Sequence, residues 1–127
     1  MSDDLLARLE SATGPDRELD AAIAVASGKY VREKRGRDRQ EWFYSTERDY
    51  DRRCLYYGGT QRTLEAYTDS IDASLTLVPE GFYYTLGKSA SDEFWCHVES
   101  GCEIWIGSAP TLALAICIAA LRARRGV

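Results

Sequence analysis

A run of consecutive apolar residues near the end of the chain, Leu112 to Leu121, constrains the fold more than any other feature. It is too short to cross a bilayer, which requires about 20 apolar residues. A helix that is apolar on all sides must be covered on all sides, because exposed apolar surface is unfavourable in water. We therefore predict a helix from Pro110 to Arg124 that is buried between layers or at a subunit contact.

Three segments before this helix alternate like strands and are separated by short turns. They are Phe82 to Gly87, Glu93 to Glu99 and Cys102 to Gly107. Residues 29–45 predict a charged hairpin of two further strands, and residues 46–63 predict a loop with one brief strand. The predicted fold class is α+β, with an antiparallel sheet of about five strands packed with helices, an N-terminal helical hairpin and a buried C-terminal helix.

The chain has 127 residues, which fits a single domain over residues 1–127. Residues 1–28 form the helical hairpin, interrupted near Pro15 and ended by Gly28. Residues 29–62 form the basic hairpin and loop. Residues 63–127 contain a helix capped by Asp69, the three-stranded meander and the C-terminal helix.

Alternation along the meander divides its side chains between two faces. We predict one face to be core, with Phe82, Tyr84, Leu86, Phe94, Cys96, Val98, Cys102, Ile104 and Ile106. The opposite face then carries Tyr83, Thr85, Trp95, His97, Glu99, Glu103 and Trp105. So much aromatic surface requires a cover, which is a helical layer, a subunit or a planar ligand.

Charge and cysteine usage limit the partners of the chain. The formal net charge is −4 and the sequence pI is about 5.0, which disfavours binding to long nucleic acids. The four cysteines form no CxxC pair, and the first residues lack the basic and then apolar run of a signal peptide. These features predict a reducing, cytoplasmic location without membrane insertion.

The motifs of common enzyme classes are missing from the sequence. His97 is the sole histidine, which excludes mechanisms that need two. The segment Gly81 to Ser89 lacks the glycine that a phosphate-binding loop requires at the position of Phe82. A zinc site with Cys96, His97 and Cys102 is disfavoured because consecutive strand residues point apart. We predict no catalytic residues, no metal and no cofactor.

Aromatic rings and arginines are the residue types that fit a nucleotide, because bases stack on rings and guanidinium groups bind phosphate oxygens. The candidate stacking residues are Trp42, Tyr44, Tyr67 and Trp105. The candidate phosphate partners are Arg62, Lys88 and Arg122. Each has a plain structural alternative as well: Tyr67 precedes a helix cap, Lys88 solvates a turn, and Arg122 balances a helix dipole.

Three stretches of the chain together resemble a group of small proteins of tailed phages and prophages. They are ATGPDRELDAAIAVASG (12–28), YTDSIDASLTLVPEGFYYTLG (67–87) and APTLALAICIAALRAR (109–124). The group is described as a phage alpha-beta-alpha sandwich domain, and some proteins of this general appearance are the Thoeris anti-defence sponges, which capture cyclic ADP-ribose signals without degrading them. The resemblance implies a homo-oligomer with ligand held between protomers, and it does not extend to residues 29–62.

The resemblance and the residue inventory lead to one expected function. The chain is expected to be a phage-encoded anti-defence protein of the host cytosol that sequesters a cyclic nucleotide immune signal without cleaving it. The signal would be a cyclic ADP-ribose isomer or a cyclic di- or trinucleotide. Two alternatives remain open: an interaction module that binds a host or virion protein, and a small phosphodiesterase that uses carboxylates.

Overall fold

The computed structural model describes residues 3–28, 30–35, 40–45, 54–56 and 65–125, and describes side chains within 4–28 and 65–125. The described residues form four helices and six strands. The first half contains α1 (Asp3–Ser11), α2 (Arg17–Ala26), β1 (Tyr30–Arg35), β2 (Gln40–Ser45) and β3 (Cys54–Tyr56). The second half contains α3 (Ile71–Leu75), β4 (Tyr83–Lys88), β5 (Phe94–Ser100), β6 (Glu103–Ala109) and α4 (Leu112–Arg125).

The helices α1 and α2 form the predicted N-terminal hairpin and pack against each other. On α1, Leu5 and Leu9 are buried at the spacing of one helical face. Asp16 begins α2, because its carboxylate accepts hydrogen bonds from the backbone N–H groups of Glu18 and Leu19. This cap satisfies two donors that a helix start would otherwise leave unpaired.

The strands form two separate sheets, so the prediction of one sheet of about five strands is wrong. Each described sheet is antiparallel and three-stranded, with the orders β1-β2-β3 and β4-β5-β6. Both consist of strands that are consecutive in the sequence, because short connections favour pairing between chain neighbours. Within the described residues no strand pairing joins the two sheets.

A buried polar network fixes the segment before α3. The Asp20 carboxylate on α2 is 1% exposed, and its Oδ1 accepts hydrogen bonds from the backbone N–H (2.8 Å) and hydroxyl (2.7 Å) of Thr68. Arg17 Nη1 donates to Oδ2 of the same carboxylate at 2.7 Å. The α3 helix then begins at Ser70, whose side chain accepts from the N–H of Ala73, so Ser70 and not Asp69 is the cap.

The helix α4 is the centre of the core, as its apolar run predicts. Every residue from 113 to 121 is buried. The helix packs on β5 and β6 on one side, and α1 and α3 contact it as well. Both the β4–β6 sheet and the other helices therefore pack against α4. None of the helices in the part of the chain with described coordinates is long and apolar enough to span a membrane.

Candidate functional site

The β4–β6 sheet has two unlike faces, which the strand register assigns residue by residue. Directly paired residues of antiparallel strands point to the same face. Cys96 and Val98 on β5 are fully buried on the side of α4, and they pair with Gly107 and Trp105 on β6. We call this side the covered face. The intervening residues, including His97, lie on the other side, which we call the open face.

The predicted division of faces is confirmed for β4 and β5, and it is wrong for β6. Trp105 lies on the covered face, whereas Ile104 and Ile106 lie on the open face and are 55% and 48% exposed. The cause is the close approach of α4 to Gly107. A Cβ atom on Gly107 would lie 2.3 Å from the carbonyl oxygen of Ala115. Only a residue without a side chain fits there, and the alternation of the strand then places Ile104 and Ile106 on the open face and Trp105 on the covered face.

Three aromatic residues lie at one end of the covered face, and we call Phe82, Tyr84 and Trp105 the ring cluster. Tyr84 and Trp105 flank Val98 from the two neighbouring strands. The Phe82 and Trp105 rings stack with centroids 5.8 Å apart and an interplanar angle of 17°. Tyr84 is 48% exposed, because α4 covers β5 and β6 and reaches little of β4. The Tyr84 ring is therefore accessible, whereas Phe82 and Trp105 are partly buried against the core.

Arg122 on α4 reaches the edge of β6 next to Trp105. Its Nη1 donates to the carbonyl oxygen of Ile106, the residue that follows Trp105 on β6. Its Nη2 pairs with the carboxylate of Glu10 on α1. The Arg122 side chain is 38% exposed. The fold thus brings together two of the seven predicted ligand residues, Trp105 and Arg122.

The other described candidates lie elsewhere. The Tyr67 ring is fully buried and its carbonyl accepts a hydrogen bond from the Cys117 thiol at 3.2 Å, so within one chain this ring has no face open to a ligand. Lys88 pairs with Asp92 at 3.1 Å and its Nζ lies 5.8 Å from the centre of the Phe94 ring. Lys88 lies four positions after Tyr84, which is about 13 Å along a strand.

The other three candidates lie outside the residues whose side chains the structure describes. Trp42 and Tyr44 belong to β2, where the described structure gives the backbone register but no side chains. Arg62 lies outside the described residues. Phe82 and Tyr84 were expected to be plain core and were missed as site residues. The register of β6 would have revealed them, since it places them on the same face as Trp105.

The open face carries a second aromatic group. The Trp95 indole covers Gly87 on the neighbouring strand, where an added Cβ would lie 2.2 Å from Cζ2. The Trp95 and His97 rings are 4.7 Å apart and tilted by 44°. Tyr83 is 77% exposed on the same face. An indole folded over a glycine protects the backbone of the adjacent strand and leaves its outer side available for contacts.

The buried thiols of the sheet and α4 are not suited to nucleophilic or metal chemistry. Burial raises the pKa of Cys96 to about 11, and burial together with the nearby Asp20 raises the pKa of Cys117 further. Both thiols therefore stay protonated at neutral pH. Within the described ranges, no three histidine, cysteine, aspartate or glutamate side chains lie close enough to hold a metal ion.

A shallow cleft of about 420 Å³ lies between α1 and α2. Its lining includes Arg8, Ser11 and Asp16, and none of the predicted ligand residues. Asp16 is already engaged as the cap of α2. The accessible rings of the covered face are therefore the stronger candidate site.

Comparisons with known proteins give no further guide to function. No protein-family model, no curated protein and no solved structure matches the chain. The resemblance to phage proteins stays a prediction from the sequence.

Proposed function

We propose that this protein binds a nucleotide-derived signal, such as a cyclic ADP-ribose isomer or a cyclic dinucleotide, and sequesters it without cleavage. The observation that carries the proposal is the position of Arg122 at the β6 edge next to Trp105 of the ring cluster. A base stacks on Tyr84 or Trp105, and the guanidinium group binds a phosphate oxygen. The phage setting comes from the sequence resemblance alone.

Arg122 can accept a phosphate because its present partner is replaceable. The ion pair with Glu10 joins two partly exposed side chains, at 38% and 48%. Such pairs contribute about 0–1 kcal/mol, whereas a hydrogen bond to a charged group contributes roughly 1.5–3 kcal/mol. A phosphate oxygen that replaces the Glu10 carboxylate keeps the guanidinium paired and adds the stacking energy of the base.

The described groups of one chain supply part of the affinity that a sponge needs. One or two stacked bases contribute about 1–3 kcal/mol each, and one phosphate contact adds roughly 1.5–3 kcal/mol. The total is short of the approximately 12 kcal/mol of a nanomolar complex, before the cost of association is subtracted. We therefore infer that further groups, from a second chain or from the β1–β3 region with Trp42 and Tyr44, complete the site.

Ligand recovery tests the proposal. The protein is incubated with cyclic ADP-ribose isomers and cyclic dinucleotides, freed of excess ligand, heated, and the released molecules are identified by mass spectrometry. We expect stoichiometric release of unaltered ligand. Altered ligand with multiple turnovers would instead establish a phosphodiesterase, and the absence of any bound nucleotide would overturn the proposal.

Two variants of the same ion pair test the role of Arg122. Arg122→Gln removes the phosphate partner, so we expect at least roughly tenfold weaker binding, which corresponds to about 1.4 kcal/mol. Glu10→Gln removes the competing carboxylate and should strengthen binding. Both variants lose the same ion pair, so a stability effect alone moves affinity in the same direction in both. Parallel changes would contradict the proposed site.

A second candidate function is docking on a protein partner through the open face. It is favoured by the exposure of Tyr83, Ile104 and Ile106 on a face whose single charged strand residue is Glu99. Ile104→Lys should abolish such docking and leave nucleotide binding on the covered face unchanged. Docking that survives Ile104→Lys would contradict this second candidate, and loss of nucleotide binding would contradict the placement of the nucleotide on the covered face.

A further inference from the structure

The two edge strands of the β4–β6 sheet differ in what lies beside their outer edges. Along β6, the Arg122 guanidinium binds the backbone carbonyl of Ile106, and α4 and Glu10 lie beside it. Along β4, the described structure pairs one side with β5, and no described strand pairs with the other side. An unpaired strand edge presents a row of N–H and C=O groups that can pair with another strand.

In the part of the chain that the structure describes, the β4 strand carries little of the usual protection of such an edge. Its sequence, YYTLGK, has no proline, and its one charged residue, Lys88, is the last of the strand. The backbone is regular from Tyr83 to Lys88, without a bulge in its pairing to β5. Natural proteins protect exposed edges with charges, prolines or bulges, so an unprotected regular edge indicates that another strand covers it.

Exposed tyrosines lie on both sides of this edge strand. Tyr83 on the open face is 77% exposed, and Tyr84 on the covered face is 48% exposed. Since neighbouring strand residues point to opposite faces, a cover placed on one face shields one tyrosine only. A strand added at the edge of β4 contacts both side chains at once.

We propose that β4 pairs antiparallel with β4 of a second copy of this chain, which joins the two β4–β6 sheets into one six-stranded sheet. An edge that pairs with its own copy must be self-complementary when its sequence is reversed. The β4 sequence meets this requirement in a register centred on Thr85. This self-complementarity is the reason for assigning a second copy, and not an unrelated peptide, to the edge.

The register centred on Thr85 matches the residues in size and charge. Tyr84 lies opposite Leu86 of the partner subunit on the covered face, an aromatic and aliphatic pair of the kind that stabilises sheets. Tyr83 lies opposite Gly87 of the partner subunit, where the absence of a side chain leaves room for its ring. Lys88 lies opposite Phe82 of the partner subunit, so no like charges are opposed.

Sedimentation equilibrium of charge variants at Thr85 tests this dimer. Thr85 is exposed, so Thr85→Lys and Thr85→Glu leave the core of the single chain intact. Each variant places two like charges opposite each other, and we expect dimerisation at least roughly tenfold weaker than in the wild type. Because Thr85 lies opposite itself, an equal mixture of the two variants should regain dimerisation as a heterodimer.

The matched control is Ser108→Lys, which places the same charge at an exposed position of β6, the edge strand that Arg122 occupies. This variant should remain dimeric. Hydrogen exchange of wild-type β4 amides needs no variant, and protection should rise with protein concentration. A monomeric wild type, a dimeric Thr85→Lys or a mixture that stays monomeric would each overturn the proposal. If this dimer does not form, the ligand-recovery result for the single chain is unaffected.

Discussion

Gly87 on β4 and Gly107 on β6 lie on the two edge strands of the same sheet, yet different neighbours fill the space where a side chain would stand. At Gly107 an added Cβ would lie 2.3 Å from the Ala115 carbonyl oxygen and 2.6 Å from the Ala119 nitrogen, both in the backbone of α4. At Gly87 it would lie 2.2 Å from the Trp95 indole, a side chain on the open face. The covered face is therefore fixed by backbone contact, and the open face by a side chain that can turn toward solvent.

This difference explains how one glycine can determine which face of the sheet the side chains of a strand point to. The helix α4 approaches β6 closely at Gly107 and Ala109, both buried. Close packing favours small residues at the contact with α4. Because side chains alternate along a strand, Ile104 and Ile106 then lie on the open face. Hydrophobicity alone does not identify the buried face of a strand where a helix backbone lies directly on it.

Gly107→Ala should give the largest effect. The new methyl group collides with helix backbone that cannot move without shifting the core, so we expect a loss of about 3 kcal/mol in the free energy of unfolding. The measurement is urea denaturation. Ile106→Ala, the adjacent residue on the open face, is the control and should cost about 1 kcal/mol or less because the side chain is half exposed. Equal losses would contradict the assignment of faces.

Alkaline pH should have the next largest effect, by lowering the free energy of unfolding through a thiol on the covered face. Burial raises the pKa of Cys96 from its ordinary value near 9.0 to about 11. The unfolded chain loses this proton first as pH rises, so stability falls between pH 9 and pH 11, by about 1 kcal/mol at pH 10 from this thiol. Denaturation at pH 8 and pH 10 measures the slope. Cys96→Ala should reduce it, and an unchanged slope would contradict burial of the thiol.

Gly87→Ala should give the smallest effect. The Trp95 ring can turn away from the new methyl group toward solvent, so we expect a loss below about 1 kcal/mol. The loss should shrink further in a Trp95→Leu background, because the collision is then relieved. A double-mutant cycle measured by urea denaturation checks this coupling. A cost as large as that of Gly107→Ala would show that the open face is as rigidly packed as the covered one.

The sequence was informative where a pattern depends on one element alone. The apolar run of α4, the hairpin of α1 and α2 and the strands of the meander follow from local periodicity and turn residues. The division into two sheets, the reversal of β6 and the burial of Tyr67 depend on tertiary contacts. Thr68, the residue after Tyr67, is held by the Asp20 carboxylate 48 positions earlier in the chain, which no local pattern reveals.

The candidate site was likewise predictable from the sequence only in part. Trp105 and Arg122 were identified by residue type, but their proximity results from α4 lying along β6. Tyr84 was expected to be buried, and its exposure follows from the limited width of the helix over a three-stranded sheet. Residue chemistry therefore identified ligand-compatible groups, whereas packing determined which of them share a surface.

Calorimetric titration of two adjacent tyrosine variants tests the binding account most directly. Tyr84 lies on the covered face with Trp105, and Tyr83 lies on the open face, so Tyr84→Ala and Tyr83→Ala remove the same ring from opposite sides of one strand. Against cyclic ADP-ribose isomers and cyclic dinucleotides, Tyr84→Ala should bind roughly tenfold more weakly, and Tyr83→Ala should bind nearly as wild type. Unchanged binding in Tyr84→Ala, with loss in Tyr83→Ala, would contradict a nucleotide site on the covered face.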